Sequence, residues 1–328
     1  MMNNKFRWIK TFFSNIFYVG DDLIGYRHKI VIFGFKFNIA KSKYRKIRKE
    51  NAYWEYKKNN VDITTLPPAT GKLRELQLAN FKLLKEFDTI CKQNNLHYWI
   101  DFGTLIGAVR HKGFIPWDDD VDVSMFRDDY NRILEVVNNN SHNSDVYAEY
   151  RYTFLRIKHR KCNLLFLDIF PVDTYGEIIP VEQQLKETRR IKKIGRRVRK
   201  KPSQLTKEEL AQTRLDIIEA IKNEVVTNKL PKDITKTQYV WGIDFGHGWK
   251  NWFTNYDVYF PFKQIEFEGE LFPCLNNTHE YLTKIYGDYM SYPDKLRLGH
   301  NGYKNFSTKD KNFITEFIQD VGLENERS

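Results

Sequence analysis

The chain has 328 residues, 41% of them hydrophobic and 29% charged, with three cysteines and a net charge of +11. This composition excludes collagen-like, low-complexity and disulfide-scaffold classes, and it suffices for one substantial core or two small ones. Cys91, Cys162 and Cys274 are odd in number and scattered, which excludes a zinc-ligand spacing and fits a reducing cytoplasm.

In chain order, Phe6, Ile9, Phe12, Phe13 and Ile16 recur at helical spacing beside Lys5, Arg7 and Lys10. They predict a short helix over 1–20 that either lies in a lipid interface or packs on the body of the protein. The most apolar N-terminal runs, Trp8 to Gly20 and Ile30 to Ala40, are too short and too interrupted by polar groups to span a bilayer, and the start carries no signal-peptide cleavage pattern. Lys29 to Tyr44 alternates β-branched and aromatic residues around Gly34, predicting a small hairpin followed by a basic stretch. Residues 1–60 therefore form an N-terminal extension with 14 Lys/Arg against 4 Asp/Glu. Residues 61–71, with Pro67-Pro68, read as a linker into a main domain over 72–328.

That domain opens with a helix from Lys72 to Asn95, whose apolar face is Leu73, Leu76, Leu84, Phe87 and Cys91. His97 to Phe102 reads as a strand, Gly103 as a turn, Thr104 to His111 as a short helix and Val121 to Met125 as a second strand. Arg127 to Val137 is again helical, and 146–158 and 164–169 alternate as strands. The expected fold class is α/β, a mixed sheet flanked by helices, with acidic residues at the ends of adjacent strands. Residues 182–228 are expected to be a helical insertion.

Its first part, 186–201, carries a net +9 and residues 1–60 carry +10, so the rest of the chain carries −8. An acidic body argues against a nucleic-acid groove, whereas basic segments outside it suit an anionic membrane surface. A charge run is by default a solvated face, but Ile191, Ile194 and Val198 inside this one add an apolar stripe that suits lipid contact.

The chemistry concentrates in 101–123, DFGTLIGAVRHKGFIPWDDDVDV, read with Asp168. Residues two apart on a strand share a face, so Asp120 and Asp122 project side by side, about 7 Å apart along the backbone. Clustered carboxylates repel and lose solvation unless a cation neutralises them, so the pair predicts a divalent ion. Oxygen-only ligands favour Mg2+, with Mn2+ as substitute. Asp168 ends an apolar strand, where it either joins this cluster or caps the Phe170-Pro171 turn. Asp118 and Asp119 are ambiguous between supporting and loop carboxylates. A calcium EF-hand is excluded, because the central Gly and the twelfth-position Glu are missing. Gly103 and Thr104 offer backbone N–H groups and a hydroxyl to a phosphate at a helix start. Arg110, His111 and Lys112 either grip a phosphate or form a solvated basic turn. Tyr98, Trp99 and Trp117 either shape a pocket or pack the core.

The stretch from about Leu73 to Phe306 resembles the LicD family of phosphotransferases, which includes relatives of fukutin-related protein. The phrases that carry the resemblance are YWIDFGTLIGAVRHKGFIPWDDDVDV (98–123), FLDIFPVD (166–173), FEGELFPC (267–274) and YLTKIYGDYM (281–290). It implies a nucleotidyltransferase-like fold in which Gly103-Thr104, Asp120-Val-Asp122 and Asp168 form the site. It also implies transfer of phosphocholine, or a similar phospho-alcohol, from CDP-choline, CDP-ribitol or CDP-glycerol to a sugar of lipopolysaccharide or teichoic acid, at the inner face of the cytoplasmic membrane. Thr stands where Ser is commoner in the superfamily, the spacing from Gly103 to Asp120 is longer than usual there, and the zinc-binding cysteines of some animal relatives have no counterpart.

On this reading Asp120 and Asp122 hold magnesium against the donor pyrophosphate, Asp168 completes the site and accepts the hydroxyl proton, and CMP leaves. Arg110 and Lys158 are expected at the equatorial oxygens and His300 on the acceptor side. The alternatives are nucleotidyl transfer with release of pyrophosphate, and a noncatalytic, membrane-associated nucleotide-binding subunit.

Overall fold

The structure is a computed structural model. It describes the backbone of three strands within 17–39 and residues 53–319, apart from 140–144, 152–153, 199–204, 225–230, 245, 247 and 294–305. The chain divides into two compact units between Thr65 and Leu66. In the first, β1 (Phe17–Asp22), β2 (Arg27–Ile32) and β3 (Phe35–Ile39) form an antiparallel meander. The hairpin expected in 29–44 is thus β2 and β3, and β1 is added to it. Residues 17–20 are strand rather than the end of a helix, because they pair with 29–32 of β2. Residues 1–16 of the expected amphipathic helix lie outside the described residues.

The second unit begins with α1 (Gly71–Gln93), which buries Leu76, Ala79, Leu83, Leu84, Phe87 and Cys91 at helical spacing. Gln77 and Asn80 are fully buried on the same helix, and the acidic loop explains why. Gln77 donates to the Asp118 carbonyl at 2.8 Å, and Asn80 donates to the Asp119 carbonyl at 2.8 Å. Asn80 also accepts from the Phe166 N–H, so one amide ties the loop to a central strand.

The sheet has seven strands: β4 (Trp99–Ile100), β5 (Val121–Phe126), β6 (Val146–Arg151), β7 (Phe154–His159), β8 (Cys162–Glu177), β9 (Thr237–Trp241) and β10 (Phe253–Asn255). At its centre β5 and β8 run parallel, with Asp122 opposite Asp168. β8 is 16 residues long and continues through Pro171, well beyond the expected end at 169. On its other edge β8 pairs first with β7 and then with β9, both antiparallel. Its near-continuous apolar run suits a strand covered on both faces.

Between β4 and β5, α2 (Phe102–His111) is buried almost all round. It starts one residue before Gly103, which is therefore helical and not a turn. The Asp101 side chain caps it by accepting from the Phe102 N–H at 2.7 Å. Phe102 itself holds a left-handed φ of 46° at this junction. After α3 (Arg127–Asn139), the insertion consists of α4 (Val181–Val198) and α5 (Lys207–Glu224). The hairpin of β11 (Lys263–Phe267) and β12 (Glu270–Cys274) is followed by α6 (Thr278–Tyr286), and α7 (Thr308–Phe317) ends the described chain.

Ile191 and Ile194 on α4 are about 1% exposed, as are Ile217 and Ile221 on α5. This corrects the expectation of a lipid-facing stripe at Ile191 and Ile194, which are covered within the protein, while Val198 is half-buried and the exposed side of α4 is mostly charged. The insertion is also tied to the sheet by a buried ion network. Arg127 of α3 makes paired bonds of 2.7 Å to Asp173 of β8 and one of 2.6 Å to Asp244, which also accepts from Arg214 of α5 at 2.8 Å. Among the described residues, no helix is long and apolar enough to cross a membrane.

Candidate active site

Strand register assembles the site. Asp122 is the second residue of β5, Asp120 immediately precedes the strand, and the parallel pairing sets Asp168 directly across from Asp122. One carboxylate oxygen from each of Asp120, Asp122 and Asp168 lies within 4.8 Å of the other two. Asp118, Asp119 and Asp120 form a second such group that shares Asp120. Asp120 and Asp168 are buried. Burial, and then the charges of Asp120, Asp168, Asp118 and Asp101, push the Asp122 carboxyl well above its ordinary range. An all-carboxylate oxygen set that strains against its own charge matches a hard divalent cation such as Mg2+.

The start of α2 shapes one wall. A Cβ on Gly103 would stand 2.7 Å from an Asp118 carboxylate oxygen and 3.8 Å from one of Asp122, so any larger residue would disturb the acidic loop. The Thr104 hydroxyl accepts from the Asp122 N–H at 2.8 Å. Its oxygen is thus spent on holding β5 to α2, and the residue anchors a cluster member.

Asp101 lies beneath, fully buried. It accepts from Ser124 at 2.6 Å, Tyr281 at 2.9 Å and Trp99 at 3.1 Å as well as from the Phe102 amide. Burial raises its carboxyl to about 6, against the lowering effect of those donors. Tyr286 lies within electrostatic reach of the cluster, and its ring is set at 76° to that of Trp249, which stacks on Phe102 with 5.2 Å between centroids. Desolvation, followed by Asp122, Asp101, Asp118 and Asp120, holds the proton on the Tyr286 hydroxyl, which makes it a donor beside the carboxylates.

The other expected residues make their side-chain bonds outside the trio, although Arg110 stays within electrostatic reach of Asp118. Arg110 is buried, donates to the Tyr289 carbonyl at 2.6 Å and lies over Trp117. Burial lowers its pKa to about 10, opposed by Tyr292 and Asp118. Burial and Arg110 lower His111 to about 4, so it is neutral at pH 7 and faces the Arg110 Nε at 3.0 Å. Lys112 is exposed and pairs with Glu266 at 3.2 Å. Lys158 sits 3.7 Å from Glu149, opposite Phe166 and not opposite an acid. His300 lies outside the described residues. Tyr98, which donates to Asp88, and Trp99, enclosed by Phe126, Tyr259 and Phe262, are core residues.

A residue not singled out in the sequence contacts the trio directly. Arg156 of β7 stands opposite Asp168 in register and donates Nε and Nη2 to its two oxygens at 2.6 and 2.7 Å. Its guanidinium also stacks on Phe166, with 3.7 Å to the ring centroid.

The sequence profile of the LicD/FKTN/FKRP nucleotidyltransferase domain matches residues 95–194. The lipopolysaccharide cholinephosphotransferase LicD of Haemophilus influenzae is 32% identical over 252 residues, which is 67% of this chain and 92% of that protein. The chain belongs to the LicD family. It is accordingly a LicD-type transferase, and the matched stretch contains Asp101, Asp120, Asp122, Arg156 and Asp168. More distant similarity extends to human ribitol 5-phosphate transferase FKRP, 29% identical over 84 residues that make up 23% of this chain and 17% of that protein. An uncharacterised protein of Rickettsia typhi is 37% identical over 97 residues, 28% of each chain.

Proposed function

We propose that this LicD-family enzyme transfers phosphocholine, or a closely similar phospho-alcohol, from a CDP-activated donor to a sugar hydroxyl of a cell-surface glycan such as lipopolysaccharide. The observation that carries the reading is the register-matched trio Asp120, Asp122 and Asp168, in a chain similar over two-thirds of its length to a lipopolysaccharide cholinephosphotransferase. Asp120, Asp122 and Asp168 would hold Mg2+, which when bound supplies charge neutralisation at the donor diphosphate. The acceptor hydroxyl oxygen bonds to the phosphorus distal to the nucleoside, the bond from that phosphorus to the bridging oxygen breaks, and CMP departs with the electron pair. The hydroxyl proton passes to Asp168, whose carboxylate oxygens each offer more than one lone pair. Positioning and electrostatics do most of the catalytic work in such a transfer.

Choline is the preferred alcohol on this reading, because the aromatic ring of Tyr286, within electrostatic reach of the carboxylates, would attract a quaternary ammonium. The deciding assay supplies CDP-choline, Mg2+ and an acceptor glycan and identifies the product. Release of CMP supports the proposal, and release of pyrophosphate replaces it with nucleotidyl transfer. The basic outer face of α4, which includes Arg189, Arg190, Lys193, Arg196 and Arg197, would bring the enzyme to an anionic membrane by charge alone. Vesicle binding that is insensitive to salt and to neutralisation of these residues would count against that.

A further inference from the structure

We infer that Arg156 is a ligand-binding residue that grips the transferred phosphoryl group of the donor, with Asp168 as the bracket that aims it. The inference rests on the diphosphate-donor reading above and adds a residue to it.

Glu149, Arg156, Asp168 and Asp122 lie directly opposite one another across β6, β7, β8 and β5. Residues facing each other across strands project to the same side of a sheet, at a strand spacing of about 4.8 Å. The guanidinium therefore stands one strand beyond the carboxylate trio, on the trio's own face. Its attachment is specific. Nε and Nη2 form the side-on fork to Asp168, and Phe166 packs against the guanidinium plane. This leaves the end-on edge, both Nη1 hydrogens and the second Nη2 hydrogen, with no partner among the described residues. The side chain is 16% exposed, so that edge is open to a ligand while the stem is fixed.

Charge points the same way. Fully ionised around a cation, the trio would carry three negative charges, which a divalent ion and one guanidinium would balance. Arg156 neighbours the trio along this row, and its planar fork would match the oxygens of a diphosphate held there. Arg156 thus takes the role expected of Arg110 and Lys158, which are engaged with Tyr289 and Glu149.

The test is calorimetric titration of the whole protein in Mg2+ with inorganic pyrophosphate, and separately with CMP, for wild type, Arg156→Gln and Arg156→Lys. Losing charge-assisted bonds to phosphate should weaken pyrophosphate binding by roughly 10- to 100-fold in Arg156→Gln. Arg156→Lys should fall between that variant and wild type, because it keeps the charge and loses the fork. CMP binding should stay within about twofold, since a purely structural loss at Asp168 would weaken both ligands alike. Wild-type pyrophosphate affinity in either variant, equal weakening toward CMP, or a wild type that does not bind pyrophosphate overturns the inference. Should Arg156→Gln fail to fold, Arg156→Lys decides by the same comparison. A wild type indifferent to CMP would sink the cytidine donor and leave the pyrophosphate result to judge Arg156.

Discussion

Replacing Thr104 by Val tests whether the hydroxyl at the start of α2 positions Asp122. The substitution is nearly isosteric, so packing changes little, but the Asp122 N–H loses the acceptor that now stands 2.8 Å away. An unsatisfied amide in a partly buried setting costs about 1–2 kcal/mol. For a unit of this size that lowers the melting temperature by about 2–8 °C. Asp122 is also freed to shift relative to Asp120 and Asp168, and residues that orient metal ligands typically contribute 10- to 100-fold in affinity, so Mn2+ binding should weaken by about tenfold or more. Thr104→Ser keeps the acceptor and should hold Mn2+ affinity within about threefold, despite losing a methyl group. Differential scanning fluorimetry in EDTA and calorimetric Mn2+ titration read the two effects. A Val variant with wild-type melting temperature and Mn2+ affinity would refute the anchoring role and return Thr104 to direct contact with a phosphate.

Further outcomes follow from the same geometry. Asp122→Asn should abolish turnover and Mn2+ binding while leaving the EDTA-treated protein as stable as wild type or about 1–2 kcal/mol more so, because it relieves carboxylate repulsion; a lower melting temperature in EDTA would contradict this. Asp101 has a folded-state value of about 6 against an ordinary 3.8, so the folded state holds its proton more tightly and stability is lost as pH rises through that window. The loss amounts to at most about 3 kcal/mol, and urea midpoints should decline from about pH 4 to pH 6.5 in wild type relative to Asp101→Asn. Parallel pH profiles for the two proteins would disprove it. Arg127→Met strands Asp173 inside the protein and should cost about 3–5 kcal/mol in denaturant unfolding, whereas an exposed ion pair would cost less than about 1 kcal/mol.

The primary sequence alone determined what depends on short-range periodicity. Asp120 and Asp122 share a face because a strand repeats every two residues, and the apolar spacing of α1 made that helix legible. The long motif over 98–123 carried the family, and with it the third carboxylate, which the local signal left undecided between a cluster member and a turn cap. Tertiary structure decided every matter of long-range register. The alternation in FLRIKH puts Arg156 and Lys158 on one face, yet only the pairing of β7 with β8 brings Arg156 to Asp168 and sends Lys158 to Glu149. Glycine commonly marks a turn, whereas the requirement that Gly103 meets is close approach of α2 to the Asp118 carboxylate. Likewise, no local pattern distinguishes an isoleucine stripe meant for lipid from one meant for a neighbouring helix, and α4 spends its own on the protein interior. Polar partners such as Arg127 with Asp173 and Asp244, or the Gln77 and Asn80 amides with backbone carbonyls of the acidic loop, lie tens of residues or more apart in sequence. Their pairing comes from the folded path of the chain, which composition and spacing do not encode.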